Sequence, residues 1–203
     1  MNRVLFFASA AVLAAWTAIP QAQGGGQPQA PATVAIGLQR AYAGIKTNLT
    51  DAADKTSEAD FSFKAAPDIR TFAGQLAHVA QFHYLFCSAA KGVANPIQGQ
   101  NLEDAKTTKA DVSKALADSF AFCDDAFSSL TDQSAMELVT QGRGQAARGA
   151  ILSNLIAHDN EEYGIITVYM RLKSQVPPST ANRPQRGGGA GRGAPAGPGP
   201  GRN

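Results

Sequence analysis

The stretch Ile151–Leu172, ILSNLIAHDNEEYGIITVYMRL, decides how the chain folds. Ile151, Leu155, Ile165, Tyr169 and Leu172 alternate in steps of four and three, with His158 and Glu162 filling the two gaps in that progression. The spacing places all seven side chains on one face of a helix. A histidine and a carboxylate inside a hydrophobic seam are costly unless a partner satisfies them. One metal ion does so economically, because a His and a carboxylate one turn apart reach the same point from a single helix. A neutral His158 hydrogen-bonded across a bundle, with Glu162 at the edge reaching solvent, fits the same spacing, as side-chain pairs on helix surfaces do.

Working outward, three more segments carry helical periodicity. Leu38, Tyr42, Ile45 and Leu49 mark a first helix from Thr33 to about Asp54. A second runs from about Ile69 to Lys91, ended by Gly92 and then Asn95-Pro96. Its apolar stripe is Phe72, Leu76, Val79 and Phe86, and His83 lies on it, whereas His78 stands in another row with Phe82 and Leu85. Periodicity alone therefore points His83 inward. The third helix, Thr108 to Leu130, repeats Val112, Leu116, Phe120, Cys123, Phe127 and Leu130 on one face. Lys55–Asp68 is a long connection whose Phe61 and Phe63 tuck against the helices, and Val93–Thr107 is another. A polar link at Gln141–Gly144 opens the last helix, about Gln145 to Ser174. There are no convincing β runs and no repeats, so the fold class is all-α, a four-helix bundle with long interhelical connections.

The ends read differently. Residues 1–22 combine Arg3, an apolar run from Val4 to Ile19 and small residues, the composition of a secretory signal peptide, with an uncleaved membrane anchor as the alternative. A Gly/Gln/Pro linker spans 23–32, the bundle 33–176, and a Pro/Gly/Arg-rich tail 177–203 that has almost no apolar side chain to bury and should be disordered. The expected location is secreted or periplasmic, with no stable membrane anchoring after cleavage.

The full chain carries 18 basic and 16 acidic residues. Arg3 and four arginines of the tail account for five of the basic ones, and all acidic residues lie between Asp51 and Glu162, so the bundle carries a net charge of −3. That balance argues against nucleic-acid binding by the core, which calls for a basic face. Two cysteines, Cys87 and Cys123, in an exported chain favour a disulfide between two helices over a pair of buried thiols.

LAHVAQFHYLFC around His78, NLIAHDNEEYG around His158 and the closing YMRLKSQVPPS together resemble the DinB-like family of four-helix bundles, in particular its exported members, over about Val34–Ser179. The resemblance implies a metal held by three histidines, one from the second helix and two from an H-x-x-x-H pair on the fourth. The first carries onto His78 and the second onto His158, while Glu162 occupies the third position. His78 is therefore preferred to His83, which becomes a packing residue or a partner of the ligands. Two His and one carboxylate form a competent set for Zn, Ni, Fe or Mn; the alternative is that the exchange of His for Glu has abolished binding and left a scaffold.

Relatives in the family include thiol-dependent transferases and isomerases, so the resemblance implies a metal-dependent transferase or hydrolase acting on a small molecule, and admits a homodimer. The competing expectation is a non-catalytic bundle binding a small ligand or a protein. Asp159 and Glu161 flank His158 but are expected to project away from it into solvent. No nucleophile elbow, phosphate loop or CxxC is present to name a reaction.

Overall fold

Threonines set where three of the four long helices begin. The computed structural model describes residues 32–183. Helix α1 (Val34–Lys55) starts where Thr33 Oγ1 accepts the Ile36 N–H, and α2 (Phe72–Lys91) where Thr71 Oγ1 accepts the Gly74 N–H. Gly92, at φ 69°, closes α2 with the left-handed residue that such a cap requires. A single turn, α3 (Leu102–Ala105), precedes α4 (Lys109–Ser128), capped by Thr108. Another short turn, α5 (Asp132–Ala135), leads into a hairpin of β1 (Leu138–Gln141) and β2 (Gly144–Ala147), then α6 (Arg148–Leu172) and a last turn, α7 (Pro178–Ala181).

Cross-helix contacts fix the direction of each long helix. Tyr42 of α1 stacks on Phe127 of α4 with ring centroids 3.8 Å apart, and Gln39 donates to the Phe127 and Leu130 carbonyls, so these two helices are antiparallel. Phe72 at the start of α2 lies near Tyr169 late in α6, and Arg148 at the start of α6 donates to the Ala90 carbonyl, so these are antiparallel too. His83 meets Ser119 and Cys87 meets Cys123, which makes α2 and α4 parallel neighbours. The order is up, down, down, up, with α1/α2 and α4/α6 as the diagonals.

Parallel neighbours need a connection that runs back along the bundle, and a 20-residue helix is about 30 Å long. Residues 92–108 make that return, and α3 rides on α2 because Gln81 Oε1 accepts the Leu102 N–H at 2.8 Å. The long connections expected from the sequence thus follow from topology. The Lys55–Asp68 connection also behaves as expected: Phe61 is buried, Phe63 half-buried, and their carbonyls accept the Ala73 and Phe72 N–H groups at the start of α2.

The core is filled by Leu49, Leu76, Phe120, Ile151, Leu155 and Ile166, all at or below 2% exposure. Alanines 73, 77, 80 and 90 on α2 are buried as well, and they let α2 approach its neighbours closely. The Cys87–Cys123 disulfide joins α2 to α4 with Cα atoms 5.4 Å apart. Among the described residues, no helix is long and apolar enough to cross a membrane.

Four features differ from the sequence expectations. On α6, Ile165 and Leu172 are 37% and 57% exposed, and Ile166 and Met170 are buried in their place. The progression of fours and threes has a period of 3.5, whereas a straight helix drifts by about 20° per heptad, so the stripe turns outward from the end of the second heptad, at Ile165, and further at Leu172. Leu138–Gln141 pairs antiparallel with Gly144–Ala147, so the polar link is a hairpin whose tight turn uses Gly142 at φ 58°. Pairing of Gly144–Ala147 delays the start of α6 to Arg148. Finally, residues 177–183 are not tail: α7 packs on the bundle, with Pro178 buried, the Ser179 N–H donating to Tyr163 Oη and Asn182 donating to Asp51. The expected signal peptide, linker and remaining tail lie outside the described residues.

Candidate metal centre

Midway along the α2/α6 seam the two antiparallel helices bring His78 opposite His158 and Glu162. The His78 Nε2 and His158 Nε2 atoms are 3.2 Å apart. Glu162 Oε1 lies 3.6 Å from the first and 3.7 Å from the second. A single point in the middle of that triangle is about 2.0 Å from all three atoms, the bond length of zinc to imidazole nitrogen or carboxylate oxygen. All three expected ligands are therefore together, two of them buried and His158 nearly so.

The surroundings are built to hold these side chains. His78 Nδ1 lies 2.5 Å from Glu103 Oε1, and Arg70 Nε donates to the other Glu103 oxygen at 2.7 Å. A carboxylate only accepts, so the His78 proton sits on Nδ1 and its Nε2 lone pair faces the triangle. Phe82 lies against both imidazoles, 4.4 Å from His78 and stacked on His158 at 4.6 Å between centroids. Glu162 Oε2 is buried and accepts no hydrogen bond among the described residues. Such a group carries an unrecovered desolvation cost of about 1–3 kcal/mol, more when charged. Lone pairs aimed at one point beside an unsatisfied carboxylate are mutually repulsive unless a proton or a metal cation lies between them, and a metal ion is the partner that meets all three atoms at once; in that sense the residues fit a metal ion.

His83 also points inward, so both histidines of α2 are buried, but it serves a different layer. Its Nε2 lies 3.0 Å from Asp159 Oδ2 and its Nδ1 2.9 Å from Ser119 Oγ, all three residues being fully buried. Asp159 is the main correction to the expected site. It does not face solvent; its second oxygen lies 3.5 Å from His158 Nδ1. Glu161 is exposed, as expected. Burial pushes the Asp159 carboxyl up, yet His83, through its charge and its hydrogen bond, and the hydrogen bond from His158 outweigh it and hold the group below the usual carboxylate range. Glu103 is likewise pushed up by burial but held low overall by Arg70 and His78.

Sequence reasoning misses two of these residues. Glu103 lies on the return connection, where no periodicity ties it to His78. Asp159 adjoins His158, and consecutive helical residues project about 100° apart, which turns it away from the ligand face. The signal that could have found it is a second row on the same helix: Leu152, Asp159, Tyr163, Ile166 and Met170 follow steps of seven, four, three and four, and all five are buried.

A cavity of about 690 Å³ borders the site, lined by Arg70, Gln75, Glu103, Ile165 and Tyr169 among others. It shares Glu103 with the histidine cluster, and its wall includes Gln75, whose buried amide nitrogen has no hydrogen-bond partner among the described residues.

Comparison with known proteins places the chain among relatives. The family model described as the DinB superfamily matches residues 42–166. A crystal structure of a DinB-like protein from Bacillus cereus is similar over 70% of this chain and 94% of that chain, with a TM-score of 0.60 and 18% sequence identity, which bears on the fold alone. No protein of curated function matches the chain.

Proposed function

The chain belongs to the DinB superfamily, and on that premise we propose that it is an exported metal-binding bundle in which His78, His158 and Glu162 hold one divalent ion, Zn, Ni, Fe or Mn. The observation that carries this is the triangle of two Nε2 atoms and Oε1 around a common point, with Glu162 Oε2 buried beside it and unsatisfied. A bound ion would supply Lewis acidity, favouring the thiolate of a small-molecule thiol or the hydroxide form of water. In this role Glu103 fixes the ring of His78, Phe82 walls both imidazoles from water, and the neighbouring cavity admits a small ligand between Arg70 and Tyr169. A metal-dependent transferase or hydrolase is the activity that such a site suits.

One observation favours the second reading, a non-catalytic module that binds a small ligand or a protein. The two carboxylates that surround the three ligands are already engaged: Glu103 holds His78 and Arg70, and Asp159 holds His83. Neither is free to act as a general base without releasing its partner. Export rests on residues 1–22, and a homodimer is an extension of the same proposal.

The test is metal content by plasma mass spectrometry of the mature protein from its native compartment, for wild type, Glu162→Ala and Glu162→His. Near-stoichiometric metal that is lost in the alanine variant supports ligation by Glu162. No metal in wild type, with uptake by Glu162→His, would show that only the scaffold of the site survives here.

A further inference from the structure

We propose that Asp159 is the positioning residue of the metal centre, holding His158 in the tautomer and orientation that present Nε2, and that His83 and Ser119 lock Asp159 in place for that purpose. The inference deepens the metal-binding reading and rests on it for its consequence, though not for its geometry.

Three observations lead here. Asp159 is a carboxylate at 0% exposure in the middle of a helix bundle, where an aliphatic residue would cost far less. Its two oxygens face different histidines, Oδ2 to His83 Nε2 at 3.0 Å and Oδ1 to His158 Nδ1 at 3.5 Å. Both contacts need the histidine to donate, since the carboxylate only accepts. A proton on His158 Nδ1 leaves the lone pair on Nε2, the atom that faces His78 and Glu162.

His83 explains why this carboxylate stays put. Its Nε2 faces Asp159 on α6, and its Nδ1 faces Ser119 on α4, whose hydroxyl donates to the Leu116 carbonyl at 2.8 Å. One imidazole on α2 thereby spans three helices. The disulfide lies one turn further along the same α2/α4 seam, at Cys87 and Cys123, four residues beyond His83 and Ser119 respectively. The two ligand histidines are thus backed alike by carboxylates, His78 by Glu103 from the return connection and His158 by Asp159 from the core. Partners of this kind fix ring orientation, and their loss typically weakens metal affinity about 10–100-fold.

The proposal is tested on the folded, disulfide-bonded protein in two ways. Long-range ¹H–¹⁵N correlation spectra of the metal-free wild type report which nitrogen of each histidine carries the proton; the expected result is Nδ1–H on His158. Nε2–H there would overturn the proposal, and this measurement requires no variant to fold. Zinc and cobalt titrations then compare wild type, Asp159→Asn and Ser119→Ala with Leu49→Ala, a core variant far in chemistry from the site that serves as a control for lost stability. The expected outcome is a 10–100-fold weaker affinity and an altered cobalt absorption spectrum in Asp159→Asn, a smaller change in Ser119→Ala, and none in Leu49→Ala. Equal affinity in Asp159→Asn and wild type, or equal losses in Asp159→Asn and Leu49→Ala, would overturn it. If wild type takes up no metal but His158 carries its proton on Nδ1, the metal-binding reading fails while the hydrogen-bond assignment stands.

Discussion

Removing the Cys87–Cys123 bridge tests how far the bundle depends on covalent restraint. The bridge closes a loop with a sequence separation of 36 between two parallel helices. Cross-linking a loop of that length removes chain entropy from the unfolded state equivalent to about 4 kcal/mol at 25 °C in the loop-closure model. With a urea m value of about 2 kcal/mol/M, the unfolding midpoint should fall by about 2 M. The thermal midpoint should drop by roughly 8–15 °C for a domain of this size. The cleanest comparison is oxidised against fully reduced wild type, followed by circular dichroism in urea, because reduction leaves every buried heavy atom present. The Cys87→Ala/Cys123→Ala variant should lose more, since both sulfurs are fully buried and a cavity term is added. Because the bridge acts mainly on the unfolded chain, the m value should rise on reduction as more surface becomes exposed. Equal midpoints for oxidised and reduced protein would refute the loop-entropy reasoning. Two alkylatable thiols in the unfolded, unreduced, exported protein would refute the bridge itself.

Leu49 has no exposed surface on α1, and Leu49→Ala should cost about 2–5 kcal/mol, read from urea unfolding. Burial first, and the Asp124 carboxylate second, push the Tyr42 hydroxyl well above its ordinary range. A group whose proton is held more tightly in the folded state contributes stability that is complete below its unfolded pKa and lost above it. Stability should therefore fall as pH rises past about 10, by up to about 1.4 kcal/mol per pH unit from this residue, and Tyr42→Phe should show a shallower decline in alkaline urea titrations. Zinc at a hundredfold excess over its dissociation constant should raise wild-type stability by about 2.7 kcal/mol, measured by thermal shift, and Glu162→Ala should abolish that gain. Thr71→Ala removes the oxygen that accepts the Gly74 N–H and should cost about 1 kcal/mol in the same urea assay.

The four long helices are legible in the sequence, and so are both ends of α1 to within a residue, because the Thr33 cap and the Leu38–Leu49 stripe form a locally consistent helix. His78, His158 and Glu162 are legible for different reasons. The last two share a face by spacing, while His78 follows from family resemblance against the periodicity of its own helix. That periodicity misleads because α2 is packed by α4, α6 and α3 at once, so more than one of its faces is inward. His83 and His78 are both buried as a result, in different layers. Glu103 and the hairpin are hidden for a shared reason: each depends on where a connection travels, which no local pattern records. The outward turn of Ile165 and Leu172, by contrast, follows from the difference between a 3.5 and a 3.6 repeat over a helix of 25 residues.

His78 and His158 are separated by 80 residues, and the second of them sits on the last long helix. At a synthesis rate of about 5–20 residues per second, the first histidine exists for roughly 4 to 16 s before its counterpart has been made. Through that interval α2 has an incomplete seam, with His78 and His83 lacking their partners on α6. The ligand triangle therefore marks completion: a chain cut short before Glu162 has no triangle at all, and one cut just after it has the ligands without the rest of the helix that docks them. Metal capture by this bundle would report that translation, any transport and packing of the final helix had all finished, so that truncated or half-folded chains compete poorly for the ion.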